Sequence, residues 1–570
     1  MNKIGYFPGE HLRNNVTTFL EEHAASHPDR MVLLWLDQKN IGDSVNSFEH
    51  RGITAKQLYD AVGRVAAGFE TSGICKGDRV VLFVPMSMPL YTAMFALQRI
   101  GAIPVFLDSW ARRTHLGVSA KIVSPRAMVS FEQAFALCDD VPELSNIPIK
   151  ICVGPANRSY TARFDDLMQT DRHAPAIAVE QEHTALITFT TGSSGTPKGA
   201  DRTHRFLAAQ HYALNQGLPY QSDDVDLPVF PIFSLNNLAA GVTTVIPGFD
   251  IGVPSEKDPE IILKQLQVTK TTCATLSPSL FNRLADFCLK NSIKLSMLRR
   301  IVTGGAPVSR DDVVAFQRIA PGAEIWILFG STEVEPMAHI EGKEMVNLKT
   351  RASVDPEWVD EGVNVGHIVQ NLSCRFLKIK RGPIEIKSAQ DWSPLQVERG
   401  EVGELIVAGE HVCRNYYNDQ DAFRRAKIFD ESGTVWHRTG DLGRLDDQGY
   451  LWIVGRVHNA IQREGRYVFP VRAEMIMKKL PFVQLCAYLG IQDEKLGEKT
   501  VCVVVPEKSE SLENRQILLE YEQELRRIMH KNGAPVDQVV FRDKIPMDPR
   551  HHSKVEYEVL RQELSSEKLV

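Results

Sequence analysis

No two of the nine cysteines form a C-x-x-C pair, and they are scattered from Cys75 to Cys502. That scatter argues against a zinc site and a disulfide framework, and fits a reducing compartment where lone thiols act as small buried hydrophobes. Excess positive charge is missing too. With 65 Lys and Arg against 71 Asp and Glu the formal net charge is -6, so no broad basic surface for nucleic acid is expected. Long unbroken apolar runs are also lacking. Residues 80–98 and 227–249 are uncharged, but Pro85 and Pro89 break the first, and Pro228, Pro231, Asn236, Asn237 and Pro247 interrupt the second. Both read as buried strand and helix pieces, and no transmembrane segment is expected. The opening stretch MNKIGYFPGEHLRNN has no apolar signal region, which makes export unexpected and a cytoplasmic location the expectation. Internal repeats and low-complexity tracts are absent.

What is present is ordinary for a folded chain: 43% hydrophobic and 24% charged residues. At 570 residues one core is not enough, so at least two domains are expected. Strand-length apolar runs alternate with helix-like segments: DRVVLFVP then LYTAMFALQRIGA, TALITFT then HRFLAAQHYALNQ, TTCATLS then SLFNRLADFCLKN. This alternation predicts an α/β fold with parallel sheets covered by helices. Near the end, LCAYLGIQD and TVCVVVPEK read as strands of a smaller α+β unit. The join is placed within IVGRVHNAIQREGRY, giving a large domain over residues 1–456 and a small mobile one over 457–570.

The stretch TFTTGSSGTPKGADRTH, residues 188–204, gathers glycines, hydroxyls and a lysine directly after a predicted strand. Lys198 follows Pro197, so the Walker pattern fails, and Gly192, Gly195 and Gly199 have the wrong spacing for a dinucleotide fingerprint. The physics of an anion cradle still applies, with turned backbone amides, hydroxyls from Thr190, Thr191, Ser193 and Ser194, and the Lys198 charge. Taken alone, the loop reads more readily as a solvated Gly/Ser turn.

Four later stretches resolve that ambiguity: VTGGAPVS (302–309), ILFGSTEVEP (327–336), HRTGDLGRLDDQGYLWIVGR (437–456) and DPRHHSKVEYEVLR (548–561). In this order they resemble the AMP-forming adenylating enzymes, a superfamily of acyl-CoA ligases, peptide-synthetase adenylation domains and luciferases, and the likeness covers nearly the whole chain. The resemblance implies ATP and Mg²⁺ as cofactors and a small-molecule acid as substrate. It implies that Thr190, Thr191, Ser193, Ser194, Gly195 and Lys198 surround the β- and γ-phosphates. Gly304, Gly305, Ala306 and Pro307 line the adenine, with Phe329 and Gly330 beside it; Phe329 replaces the family's usual tyrosine and keeps the stacking face. Thr332 matches the α-phosphate contact and Glu333 the magnesium ligand. Asp441 matches the ribose carboxylate, Arg456 the cation before the hinge, and Lys554 the lysine that bridges carboxylate and α-phosphate. Lys554, Lys198, Glu333 and Thr332 are thus the expected catalytic residues.

The departures point to a subgroup. His458 and Gln462 stand where an acid or lysine and a lysine are usual, and Ser553 precedes Lys554 in place of glycine. RHHSK, with DLPVFPIFSLNNLAAGVTTVIP (226–247), looks most like the β-lactone synthetases of olefin biosynthesis, which adenylate a 2-alkyl-3-hydroxy fatty acid and close it. FPIFSLNN and VEPMAHIEG are the expected acyl-pocket stretches, and His204 and Glu335 are candidate proton acceptors for closure. An acyl-CoA ligase remains the alternative, since Gly465 matches the turn where pantetheine passes. A non-catalytic acyl-binding protein is disfavoured, because Lys198, Glu333, Asp441 and Lys554 are all present; a luciferase-type oxygenase shares every motif. Association with other enzymes of lipid metabolism is compatible with either ligase.

Overall fold

The computed structural model describes residues 15–36, 49–107, 113–191, 196–251, 253–355, 357–547 and 555–567. Among these, seven strands form a first sheet in the order Ala162–Arg163, Ile149–Cys152, Ala127–Ser130, Arg79–Phe83, Ile103–Phe106, Thr184–Thr191 and Pro197–Thr203. Neighbours are parallel until the last pair, which is an antiparallel hairpin. A nine-stranded second sheet has a parallel centre that includes Val225–Pro228, Cys273–Leu276, Arg300–Gly304 and Glu324–Ser331. At one margin Val334–Glu341 folds back antiparallel on Glu324–Ser331. The α/β expectation therefore holds, and both functional hairpins are places where a parallel sheet ends by reversing.

The two uncharged stretches divide as their prolines require. Arg79–Phe83 is followed by the helix Met88–Arg99, whose N-terminus is closed by Ser87 Oγ accepting from Leu90 N and by Pro89 in its first turn. The second stretch becomes Val225–Pro228, the helix Pro231–Ala240 and Thr243–Val245, with Gly241 at φ 67° ending the helix in the left-handed conformation that glycine tolerates. Among the described residues no helix is long and apolar enough to cross a membrane.

A third sheet was not anticipated from the pattern of alternating strands and helices. Leu372–Leu377, Gly403–Gly409, Val435–Leu445, Leu451–Arg456 and Val363–Asn364 pair in that order, all antiparallel, with Lys427–Phe429 added alongside Val435–Leu445. Its Leu405, Val407 and Leu451 pack against Val334, Met337 and Ala338 of the second sheet's reversing strand. The last sheet joins Arg466–Val468, Ile461–Arg463, Gly497–Pro506 and Val483–Asp493, with Gln538–Phe541 parallel to Gly497–Pro506. Helices Pro470–Lys478 and Arg515–Lys531 contribute Ile476, Leu525 and Met529 to its core.

Candidate nucleotide and acyl site

The phosphate-loop candidates sit on the hairpin at the edge of the first sheet. Thr190 is directly opposite Lys198, and Thr191 opposite Pro197. Ser193, Ser194 and Gly195 lie outside the described residues. Lys198 is half-buried; burial lowers its pKa, while the nearby carboxylates of Glu333 and Asp419 work to keep it charged.

On the second sheet the carboxyl ends of two parallel strands carry the next group, the usual ligand edge of such sheets. Gly304 faces Leu328 in register, and a Cβ at Gly304 would lie 2.1 Å from the Leu328 carbonyl oxygen, so only glycine permits this approach. Gly305 follows at φ 86°, turning the chain into Ala306 and Pro307 just past the end of the strand. Thr332 and Glu333 are the two residues that connect Ser331 to its partner Val334. The Thr332 carbonyl accepts from Arg202 Nη2 at 2.7 Å, which ties this tip to the first hairpin.

Glu333 stands at the centre of a charge cluster only partly visible in the motifs. Tyr416 Oη donates to Glu333 Oε1 at 2.8 Å, and Cys413 N donates to the Glu333 carbonyl at 2.7 Å. Isolated bridges pair Ala200 with Tyr416 and Val334 with Val412, stitching residues 412–416 between the two hairpins. Behind them Lys427 is 3% exposed. Its Nζ donates to the Cys413 carbonyl, lies 3.1 Å from His437 Nδ1 and sits 5.3 Å from the Tyr416 ring centre. Burial opposes the Glu333 charge, but the field of His437 and Lys427 and the Tyr416 hydroxyl hold the carboxyl down to about 2. Burial and the Lys427 charge push His437 itself down to about 3, and burial also lowers Lys427, against the pull of Cys413 and Glu333 that favours its charged form. Tyr416, Lys427 and His437 were not singled out from sequence. Only His437 lay inside a quoted motif, and the strand pairing of Lys427 with His437 is what joins the group.

Asp441 lies four residues beyond His437 on the same strand and directly opposite Arg456. The two form an ion pair of 3.0 Å between a buried carboxylate and a half-exposed guanidinium. Past Arg456, burial and the charges of Arg456 and Arg561 push His458 down to about 4. Gln462 is exposed, and its N–H donates to Glu498 Oε2. Gly465 at φ 76° and Glu464 at φ 51° form the two-residue turn between Ile461–Arg463 and Arg466–Val468. Lys554 lies outside the described residues.

The two candidate proton acceptors fare differently. His204 is fully buried at the start of the helix His204–Gly217, its Nδ1 accepts from Val16 N at 3.1 Å, and burial pushes it down to about 3. The fold thus employs His204 to anchor the chain near residue 16, and the catalytic candidacy rests with Glu335. That carboxyl is half-buried two residues past Glu333; burial raises it to about 7 against the pull of Arg202. In the strand Val334–Glu341, Met337 and Ala338 pack into the core, leaving Glu335, His339 and Glu341 as the partly exposed members of VEPMAHIEG. In FPIFSLNN, Phe230 and Phe233 pack with Val302 and Leu328 of the second sheet's parallel strands. Ile232, which packs against the same cluster, and Leu235 line a cavity of about 50 Å³ together with Met94, Phe95 and Leu207.

Residues 20–417 match the AMP-binding enzyme family. The chain is 30% identical to an olefin beta-lactone synthetase of Xanthomonas campestris over 96% of each chain. It is 28% identical to 4-coumarate–CoA ligase 1 of Petroselinum crispum over 82% of each. Its fold superposes on the amide bond synthetase of Marinactinospora thermotolerans with a TM-score of 0.76, covering 96% of this chain and 99% of that one at 20% identity. The protein belongs to the AMP-binding enzyme family and is an AMP-forming, acid-activating ligase.

Proposed function

We propose that this enzyme activates a 2-alkyl-3-hydroxy fatty acid with ATP and closes the adenylate to a β-lactone. The observation that carries the reading is the meeting of two hairpins: Lys198 at the loop end of one and Glu333 at the tip of the other, joined through Tyr416 and Arg202. This places a cation and an ionised hard carboxylate at adjoining sheet edges, where a nucleotide's phosphates would be held. The donor set fits magnesium: Glu333 would hold the ion, which supplies charge neutralisation on the phosphates. Thr190 and Lys198 would hold the β- and γ-phosphates, and Gly304 to Pro307 with Phe329 the adenine. Asp441 would take the ribose hydroxyls with its orientation fixed by Arg456. Lys554, supplied by the small domain, would complete the site on closure.

In the first step a substrate carboxylate oxygen attacks the α-phosphorus, the bond to the β-phosphate oxygen breaks, and pyrophosphate leaves. In the second the 3-hydroxyl oxygen attacks the acyl carbon, its proton passes to Glu335, and the carbon–oxygen bond to AMP breaks. Holding the hydroxyl a few bonds from the carbonyl favours it over an external nucleophile, while ring strain subtracts from that advantage. The likeness to the Xanthomonas synthetase supports this second step. The open turn at Gly465 and the likeness to a CoA ligase favour thioester formation as the competing reading. Pyrophosphate release measured across fatty, hydroxy and aromatic acids tests the substrate class. Preference for the branched hydroxy acid without CoA is expected, and equal or greater turnover of plain acids only when CoA is added would overturn it.

A further inference from the structure

The small domain is gripped from within the large one. Asp355 and residues 357–359 precede the short strand Val363–Asn364 of the third sheet, yet they dock on the C-terminal unit. Val359 is 2% exposed and belongs to a hydrophobic cluster whose other buried members all fall between Ile461 and Met529. Its backbone is held on both sides: Val359 N donates to Asn532 Oδ1 at 2.9 Å, and Arg472 Nε donates to the Val359 carbonyl at 3.0 Å. Asn532, 1% exposed, also donates to the Glu357 carbonyl at 2.8 Å, and Lys479 Nζ donates to the Trp358 carbonyl at 3.2 Å. The Trp358 ring lies between the guanidiniums of Arg351, 3.4 Å away, and Arg472, 4.8 Å away. Outside these contacts Lys531 pairs with Asp355 at 3.2 Å and with Glu357 at 2.6 Å, and Arg527 with Glu357 at 3.0 Å.

From this anchor the chain returns to the large domain at once. Three residues separate Val359 from Val363, which pairs with Ile453. Gly362, at φ 124°, is so close to the Ile453 carbonyl that a Cβ there would lie 2.7 Å from its oxygen. The other crossing is the short helical turn Val457–Asn459 between Arg456 and Ile461. Four extended residues span at most about 14 Å, so with Val359 seated the domain cannot move further than that from the third sheet at this point. Two short links define a hinge line, and a unit held at both swings about that line without swivelling freely.

We propose that the Trp358–Val359 anchor, with Asn532 as its receptor, is a specificity determinant for the second half-reaction: it keeps the small domain over the adenylate, so that the substrate's own hydroxyl is used and an external thiol is denied access to the carbonyl. The inference rests on the lactone-forming reading. Its physical basis is that an internal nucleophile is enclosed with the acyl carbon when the domain is down, whereas a thiol arriving from solvent needs the domain moved aside.

The test separates domain motion from product identity. In the full-length enzyme with Cys75→Ser, spin labels replace the exposed Leu137 of the large domain and Leu519 of the small one, and the distance between them is read by dipolar spectroscopy. Enzyme with ATP and magnesium and enzyme trapped as the acyl-adenylate are expected to share a single distance. A second distance appearing with the adenylate overturns the proposal. Separately, Glu357→Cys and Lys531→Cys joined by a short bismaleimide are expected to leave AMP release undiminished. Loss of AMP release with pyrophosphate exchange retained means the anchor must open, and also overturns it. Trp358→Ala with Asn532→Ala is expected to add a second distance and to raise acyl-CoA formation when CoA is supplied. If that variant does not fold, the label distances and the cross-link decide alone. A single distance with CoA-dependent turnover in the wild type would show that a thiol reaches the carbonyl past the seated domain and would overturn the proposal, whereas a single distance with no lactone formed from the hydroxy acid and no acyl-CoA would refute the lactone reading alone.

Discussion

Replacing Lys427 by methionine removes a buried amino group while keeping most of the stem that fills its place. Three interactions go: the hydrogen bond to the Cys413 carbonyl, the contact of 3.1 Å with His437 Nδ1, and the cation 5.3 Å from the Tyr416 ring. Left behind is the Glu333 carboxylate with Tyr416 as its donor and Lys198 across the gap. Breaking a buried ion pair by removing one partner costs roughly 3 to 5 kcal/mol; the Lys427–Glu333 relation is through space, and removing the lysine also removes its own desolvation cost, so we expect about 2 to 3 kcal/mol. That is a large part of the roughly 5 to 15 kcal/mol that holds a domain folded. Denaturant unfolding should show the loss as a lower midpoint with unchanged slope. Acid-dependent pyrophosphate exchange should fall, with a higher magnesium requirement, because residues 412–416 no longer hold Glu333 in place. Lys427→Arg should recover part of both. A midpoint shift below about 0.5 kcal/mol, in the range of a neutral surface change, with exchange untouched would refute the idea that this lysine supports Glu333.

Glu335→Gln should leave pyrophosphate exchange intact and slow lactone closure by about 10²- to 10⁴-fold, the usual worth of a positioned general base; equal slowing of both steps would place Glu335 elsewhere in the chemistry. Lys198→Ala should weaken the first step without changing which acids are accepted, measured by exchange rates across an acid panel; a changed acid preference would put Lys198 in the acyl pocket. His204 and His437 are buried and pushed from 6.5 to about 3, so the unfolded chain takes up their protons first as pH falls. Stability is therefore present above pH 6.5 and lost toward pH 3, by up to about 2.7 kcal/mol per pH unit for two protons. Thermal melts from pH 8 to pH 4 should show this steepening, and His204→Phe should reduce it.

The motifs made the nucleotide side legible because each demands a special backbone. Gly304 and Gly305 are glycines where a Cβ would strike Leu328 or the chain must turn at positive φ, and that necessity survives in the sequence. Alternating strands and helices likewise announced the two parallel sheets. The support behind the site was not legible. Lys427 follows two arginines in RRAKIF and looks like one more surface charge until Lys427–Phe429 pairs with Val435–Leu445 and turns it inward. Asp441 and Arg456 were read as separate nucleotide residues, and only the hairpin register reveals them as partners. His204, adjacent to the loop in sequence, looked chemical, but helix initiation carries it into the core. The docking of Trp358 and Val359 depends on a receptor more than a hundred residues away, and no local pattern marks it.

The central claim is that the bound acid's own hydroxyl captures the adenylate, and product analysis without any thiol tests it most directly. Enzyme, ATP, magnesium and a 2-alkyl-3-hydroxy fatty acid should yield AMP and a β-lactone in equal amounts over many turnovers, the lactone identified by NMR and by its strained-ester carbonyl band. A single burst of pyrophosphate that stops at one bound acyl-adenylate per enzyme, and resumes only when CoA or a carrier-protein thiol is added, would contradict the account.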